Sequence, residues 1–522
     1  MSKDERHRLS RRRFLGAVGA GAGAVALDPV SAVAAPGPAV GHAPRPHAGS
    51  AAAEHFGRMF RLPAFAPQTP KVEAALPELG RPGGLLDAAD PLAAGPKALI
   101  VDLSLSANNP NNPSHTAGTT FIGQFLDHDV TFDAASRLGR ATNPADARNF
   151  RTPALDLDSV YGAGPVAQQE LYDPGDHIKF KVESGGVFED LPRRADGAAI
   201  VGDPRNDEHL IISGLHCAFL LFHNHAVDHV RAQGGLTDTM DVFAEARRLT
   251  TWHYHWLIVR EFLAQIVGKA MLDNVLRHGR RWYRPRSGEA FMPVEFQTGT
   301  YRMGHSMVRP SYRANLAGDS GQPFFGFIFD PSQEGSADPD DLRGGARAAR
   351  RFIGWQTFFD FGDGEVKPNK KIDTKISTAL FTLPLGAIAT HDAPTALPQR
   401  NLLRHLTWQL PSGQSIARAM GITPLAAIDL QELAPLGVGF ERGTPLWYYV
   451  LKEAELVADG LHLGPVGGRI VAEVLIGLLQ TDPASYLAAQ PRWRPTLPST
   501  NGTFRMTDFL TFAGVDPASR GQ

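Results

Sequence analysis

Residues 119–130, Thr-Thr-Phe-Ile-Gly-Gln-Phe-Leu-Asp-His-Asp-Val, decide how this chain is read. As a helix they bring Gln124, Asp127 and His128 to i, i+3 and i+4, on one face. Phe121, Ile122, Phe125 and Leu126 spread apolar surface around the rest, so the helix is expected to be buried. Burying an amide, a carboxylate and an imidazole together costs free energy unless they satisfy one another or hold something. A core histidine bonded to its neighbours is the commoner case for an isolated pair. This pair is not isolated.

Three more segments follow in order. Gly202-Asp203-Pro204-Arg205-Asn206-Asp207-Glu208 opens an apolar helix expected from Leu210 to about Val230. Tyr301-Arg302-Met303-Gly304-His305-Ser306-Met307-Val308 and Arg400-Asn401-Leu402-Leu403-Arg404 come later. Taken with Gly-Gln-Phe-Leu-Asp-His-Asp, these four motifs resemble the animal-type haem peroxidases, the group containing myeloperoxidase, lactoperoxidase and peroxidasin. The resemblance covers residues 97 to 515. It implies that Gln124 and His128 sit over a haem iron, with Asp127 and Glu208 esterified to the haem and Arg205 beside the peroxide. It makes His305 the axial iron ligand, Asn401 the acceptor of that histidine's other N–H, and Arg302 and Arg404 the partners of the haem propionates. The implied activity is a haem b peroxidase that uses hydrogen peroxide to oxidise small donors through a high-valent iron-oxo intermediate.

The residue types suit that chemistry. Cleaving peroxide needs a base that takes a proton from one oxygen and returns it to the other, and a neutral imidazole does this near neutral pH. A fixed guanidinium beside the departing oxygen stabilises the charge that develops there. On the other side, a hydrogen bond to the second nitrogen of an axial histidine sets its orientation and basicity. Read alone, each arginine is more often a solvated surface residue.

A second constellation adjoins the first. Thr152-Pro-Ala154-Leu-Asp156-Leu-Asp158-Ser-Val-Tyr161-Gly162 places oxygen-bearing groups at alternate positions, as hard cations prefer. In the resembled family a similar loop binds calcium together with the acid after the distal histidine, here Asp129. The expected cage is Asp129, Thr152, Asp156 and Asp158 side chains with the Thr152 and Ala154 carbonyls. Other histidines are set aside. Trp252-His253-Tyr254-His255-Trp256 precedes the 301–308 segment and reads as a structural helix. His225 and His229 stand at i, i+4 without the intervening Glu of a zinc protease, and read as ordinary core and surface residues.

The whole chain sets the bounds. Residues 1–35 carry Ser10-Arg11-Arg12-Arg13-Phe14-Leu15, then Gly/Ala-rich apolar sequence and Ala32-Val33-Ala34. They resemble a twin-arginine export signal, so the protein is expected to meet that machinery and to act in the periplasm or outside the cell. The apolar run is too short to remain as an anchor. Residues 36–96, rich in Pro, Ala and Gly, are expected to form an arm or linker. Residues 97–522 show no second composition shift, and are expected to form a single large, mainly α domain with few short strands. Helices are expected at Val242 to Val267, Ala346 to Phe361, Pro445 to Ala458 and Gly468 to Leu479. A net charge of −2 implies neither nucleic acid nor an anionic membrane as partner. The single cysteine, Cys217, excludes an internal disulfide, unlike the disulfide-rich animal relatives, and fits folding in a reducing compartment before export.

One position departs tellingly from the pattern. His209 follows Glu208 where myeloperoxidase has a Met bonded to the haem, so bromide, iodide, thiocyanate or phenols are expected as donors rather than chloride. Two rivals are weighed. A haem fatty-acid dioxygenase of the same superfamily carries a Tyr three residues before the axial histidine, where this chain has Arg302, and lacks the acid that Asp127 supplies. A haem-binding or adhesive protein without turnover has no need of His128, Arg205 and His305 together.

Overall fold

The computed structural model describes residues 55–522 apart from 287, 288 and 389. The expected export signal, 1–35, and residues 36–54 of the expected arm lie outside the described residues. From residue 55 onward the chain is not an arm. Phe56, Phe60 and Phe65 are buried, and helix α1, Pro70–Leu79, adds Val72, Ala75, Leu76 and Leu79 to the same core. Its start follows local chemistry: Thr69 Oγ1 accepts the Val72 N–H at 3.3 Å, and Pro70 takes the first turn, where its missing N–H costs nothing. Apolar residues at helical spacing among the prolines carry this segment onto the body, which composition alone conceals.

Helix α2, Gly118–Val130, is the stretch quoted first, and almost all of it is buried. Its beginning needs a glycine, because a Cβ on Gly118 would lie 2.3 Å from the Phe359 ring. Helix α3, Leu210–Gln233, and helix α4, Thr239–Leu257, pack along each other; α4 continues through a wide turn, Ile258–Phe262, into Leu263–Val267. By length and hydropathy α3 could cross a membrane, yet 78% of its apolar window is buried inside the protein, as in a core helix. Helices α5, Leu397–Thr407, α6, Leu446–Ala458, and α7, Pro465–Thr481, complete the frame. One apolar cluster runs through all of them.

Strands are few and short. Among the described residues they form four separate pairs: Phe56–Gly57 with Met292–Pro293 (parallel), and three antiparallel. One antiparallel pair, Asn111–Thr116 with Pro368–Lys370, leads directly into α2. The domain is thus mainly α, as expected.

One expected helix is absent. Residues 346–361 run as irregular chain with a single turn at Trp355–Thr357. Positions 351 to 359 are buried without interruption, so no helical face is exposed. Arg351 donates to the carbonyls of Pro339, Asp341 and Arg343, and the Gly354 N–H donates to Ala314 O at 2.8 Å. Long-range bonds replace the helical ladder here.

Candidate functional site

Helix α2 and the turn Pro204–Asp207 build one side of a cleft. Asp203 caps that turn through the Arg205 N–H at 2.9 Å and also grips the Arg205 guanidinium at 3.0 and 2.8 Å. Arg151 meets Asp203 from the other side at 2.8 Å. Burial works to raise Asp203, but Arg205 and Arg151 overcome it and hold the carboxyl below its usual range. So clamped, Arg205 lies over the Phe132 ring at 4.5 Å, donates to the His128 carbonyl at 3.1 Å, and extends Nη1 to 3.7 Å from Asp127.

The imidazole of His128 is bonded through Nδ1 to Asn206 Oδ1 at 2.8 Å, and its Nε2 lies 3.7 Å from Glu208 Oε2. Burial, then Arg205, lower its pKa to about 3, so it is neutral at ordinary pH. Gln124 is fixed at both ends of its amide. His209 Nδ1 accepts the Ile212 N–H at 3.3 Å and caps α3, so His209 Nε2–H donates to Gln124 Oε1 at 2.9 Å. Gln124 Nε2 then donates to Glu208 Oε2 at 3.1 Å. Burial outweighs Arg205 and this bond and raises Glu208 to about 7. Burial also raises Asp127, against Arg205, Arg302 and Arg404. Asp127 and Glu208 sit deep in the molecule yet keep 28% and 24% of their side-chain surface open, because they face the cleft.

The other side comes from residues 301–307 and α5. Tyr301 Oη donates to the Gly123 carbonyl at 3.0 Å, and the short helix Gly304–Met307 packs against α2. Asn401, on α5, stands 2.8 Å from His305 Nδ1 through its amide nitrogen, leaving Asn401 Oδ1 buried without a partner. A half-turn of that amide lets Oδ1 accept the His305 Nδ1–H and leaves Nε2 with the lone pair a metal needs. His405 locks the helix: its Nε2 accepts the Trp447 N–H at 3.0 Å and its Nδ1–H donates to Asn401 O at 2.9 Å. Trp447 Nε1 in turn donates to Arg302 O at 3.0 Å.

Two observations bear on what fits this cleft. Arg302 and Arg404 approach each other without an ion pair among the described residues, and Arg302 Nε is buried without a partner. Burial, then Arg302 and Arg400, push Arg404 well below its usual value, a cost that a bound dianion relieves. Asp127 accepts no side-chain hydrogen bond among the described residues, and faces the same space. A metal-bearing ring with two carboxylates, such as haem, matches this donor set: a histidine for the metal, paired arginines for the carboxylates, and Asp127 and Glu208 at its edge.

Behind α2, the carboxylates of Asp129, Asp156 and Asp158 converge within 4.8 Å. Burial, then Asp158 and Asp156, push Asp129 well above the carboxylate range. Asp129 also accepts from Leu157 N, Ser159 Oγ and Tyr254 Oη, each at 3.2 Å. Thr152 Oγ1 donates to Asp158 at 3.3 Å, and Ala154 N–H to the Thr152 carbonyl at 2.9 Å. Leu155 and Leu157, at φ 41° and 58°, hold left-handed backbone on either side of Asp156. Such crowding of acids suits a hard cation.

The candidate haem-side and calcium-side residues lie around these two adjoining places, whereas the other histidines noted in the sequence do not. Sequence reasoning missed Asp203, Asn206, His216 and His405; Asp203 holds the nearby Arg205, while Arg151, His128 and Trp447 reach the set from far along the chain. His253 and His255 bond to the Leu249 and Leu155 carbonyls inside the core. His225 bonds to Phe512 O and His229 to Gln233.

The comparisons follow this geometry. The animal haem peroxidase family model matches residues 134–325, a segment containing Arg205, Glu208, Arg302 and His305 but neither α2 nor α5. Peroxidasin homolog pxn-1 of Caenorhabditis elegans is 24% identical over 181 residues, 31% of this chain and 14% of that protein. Thyroid peroxidase of Mus musculus is 23% identical over 242 residues, 41% of this chain and 26% of that protein. The chain thus spans about a quarter or less of the length of these relatives. Peroxidase A of Dictyostelium discoideum shares the fold, with a TM-score of 0.63 at 16% identity over 88% of this chain and 92% of that one. A fatty acid alpha-dioxygenase of Oryza sativa, solved with palmitic acid, does so at 0.57 and 14%, over 92% and 85%. Family match, relatives and shared fold point the same way: residues 134–325 match the animal haem peroxidase model, and the chain shares its fold with a peroxidase and with a fatty acid dioxygenase.

Proposed function

We propose that the protein is a haem-dependent peroxidase that takes hydrogen peroxide as oxidant and small reducing donors as substrates. The observation that carries this reading is a neutral, unblocked His128 Nε2 on one wall of the cleft, beside a clamped Arg205. The His305–Asn401 pair, 2.8 Å apart, and Arg302 and Arg404, whose charges act on Asp127, support the same reading. Haem, held by His305 with its propionates on Arg302 and Arg404, supplies the redox chemistry. His128 Nε2 accepts the proton of the incoming peroxide and returns it to the leaving oxygen. Arg205, fixed by Asp203, stabilises the charge that develops beside it. Gln124 cannot rotate, because His209 and Glu208 hold both ends, so it presents a constant polar edge. Asp127 and Glu208 are the candidate ester links. Calcium held by Asp129, Asp156, Asp158, Thr152 and Ala154 would brace the helix that carries His128.

Bromide, iodide, thiocyanate and phenols are the proposed donors. His209 is engaged in capping α3 and in holding Gln124, so it adds no third bond to haem. A fatty-acid dioxygenase is disfavoured: Arg302 stands three residues before His305, and the neighbouring Tyr301 is tied to Gly123 O and stacked on Phe296 at 4.6 Å. Residues 1–35 support export by the twin-arginine route.

The test is the absorption spectrum of purified protein, before and after peroxide, repeated with His128→Ala. Wild type is expected to show a Soret band that shifts on oxidation, and the variant to react roughly 10² to 10⁴ times more slowly. Purified protein that neither carries nor takes up haem would sink the reading.

A further inference from the structure

Resting on that reading, we propose that His216, on α3, is a positioning residue that decides which nitrogen of His128 carries its proton, acting through the side-chain amide of Asn206. Asn206 is fully buried, and its amide bridges two imidazoles. Oδ1 lies 2.8 Å from His128 Nδ1, and Nδ2 lies 2.9 Å from His216 Nδ1. An amide accepts at one end and donates at the other, so the three side chains bond in only two registers.

In the first register, which these contacts describe, His128 Nδ1–H donates to Asn206 Oδ1 and Asn206 Nδ2–H donates to His216 Nδ1. The His216 proton then sits on Nε2, and His128 Nε2 offers its lone pair to the cleft. In the second, the amide is turned by half a rotation. His216 Nδ1–H donates to Oδ1, Nδ2–H donates to His128 Nδ1, and the cleft meets a protonated His128 Nε2 that accepts nothing. Both registers make the same number of bonds at the same distances. The tautomer of His216 therefore selects between them, and only the first allows hydrogen peroxide to pass its proton to Nε2 and leave hydroperoxide behind.

The bridge has no alternative partners in reach of water. His216 is 1% exposed, and its ring meets the edge of Phe125 at 6.4 Å, so α3 holds it against α2. Among the described residues the amide exchanges hydrogen bonds only with the two rings, and loss of the His216 acceptor leaves nothing to prefer one orientation.

The experiment uses the haem-loaded protein and three variants. His216→Leu is expected to keep its Soret band but to lose about half of its rate of reaction with peroxide, and likewise of cyanide association, because the amide then takes both orientations. Cyanide also enters by giving a proton to the distal base. Histidine-selective nitrogen-15 spectra of the diamagnetic ferrous carbon monoxide form are expected to show His128 Nε2 unprotonated in wild type and a mixture of both tautomers in His216→Leu. The double variant His216→Leu/Asn206→Asp offers His128 Nδ1–H an acceptor that cannot turn into a donor. It should restore the unprotonated Nε2 and most of the rate. If His216→Leu does not fold, His216→Phe carries the same expectation.

An unchanged His128 tautomer in the variants, or a lost rate that the added Asp does not recover, overturns the inference. A wild-type protein that takes up no haem would instead sink the peroxidase reading. The tautomers remain readable in the haem-free chain by the same spectra.

Discussion

At the scale of single residues, the acids on the cleft differ from ordinary surface acids in having no strong cation of their own. Asp127 is 3.7 Å from the nearest guanidinium, outside hydrogen-bond range, because Asp203 holds Arg205. Glu208, raised to about 7 by burial, shares one oxygen with Gln124. Both acids stay available to the edge of a bound ring. After turnover with peroxide, the wild-type pigment is expected to resist extraction into acidified organic solvent. The Asp127→Asn/Glu208→Gln protein should release it fully. Complete release from wild type would show that no ester forms. The motif residues were legible in the sequence because each sits in a short run with its own spacing. Asn206 and His405 were not, since their significance lies in partners 78 and 42 positions away.

At the scale of elements, α2 presents successive residues to different environments, His128 toward the cleft and Asp129 toward the loop 152–158. Tyr254 from α4 reaches the same carboxylate, so loop, α2 and α4 meet at Asp129. A cation there would tie all three together. Calcium at a hundredfold excess over its Kd is expected to add about 3 kcal/mol to the folded state. Chelation should lower the thermal midpoint of wild type, and Asp156→Asn should abolish that response. A midpoint indifferent to chelator would remove calcium from the site. The helices at 242–267, 445–458 and 468–479 were readable from apolar spacing. The stretch 346–361 misled because the unbroken burial of 351–359, in an irregular segment, carries no period to distinguish it from a buried helix.

For the molecule as a whole, buried imidazoles dominate the response to acid. His223, His253, His255 and His405 are lowered by burial to about 4. His253 Nε2 and His255 Nδ1 have no hydrogen-bond partner among the described residues, so charging either ring buries an unsatisfied N–H. Below about 6.5 the unfolded chain takes up protons that these folded rings refuse until about 4, so stability falls as pH drops through that window. Glu261 and Glu453, raised by burial to about 7, act in the opposite sense and lose stability as pH rises toward 7. Glu208, also raised to about 7, joins the carboxyls, but His115, His128, His209, His216 and His305 are likewise lowered to about 3 or 4, so the imidazoles outweigh the carboxyls. The thermal midpoint is expected to fall between pH 7 and pH 5, and a rise would show that the rings are charged in the folded state.

The sequence by itself determined the helix that carries Gln124, Asp127 and His128, the acid-rich loop and the mainly α character. Each of these is written in local spacing or in a short motif that works at close range. Tertiary structure alone decided that residues 55–96 belong to the body, that 346–361 stay irregular, and that Arg151 backs Asp203 against Arg205. It also decided that an asparagine joins two histidines from different elements. The reason is physical: a buried polar side chain takes whichever partner the folded chain brings within hydrogen-bond reach. That partner's position along the sequence leaves no periodic trace.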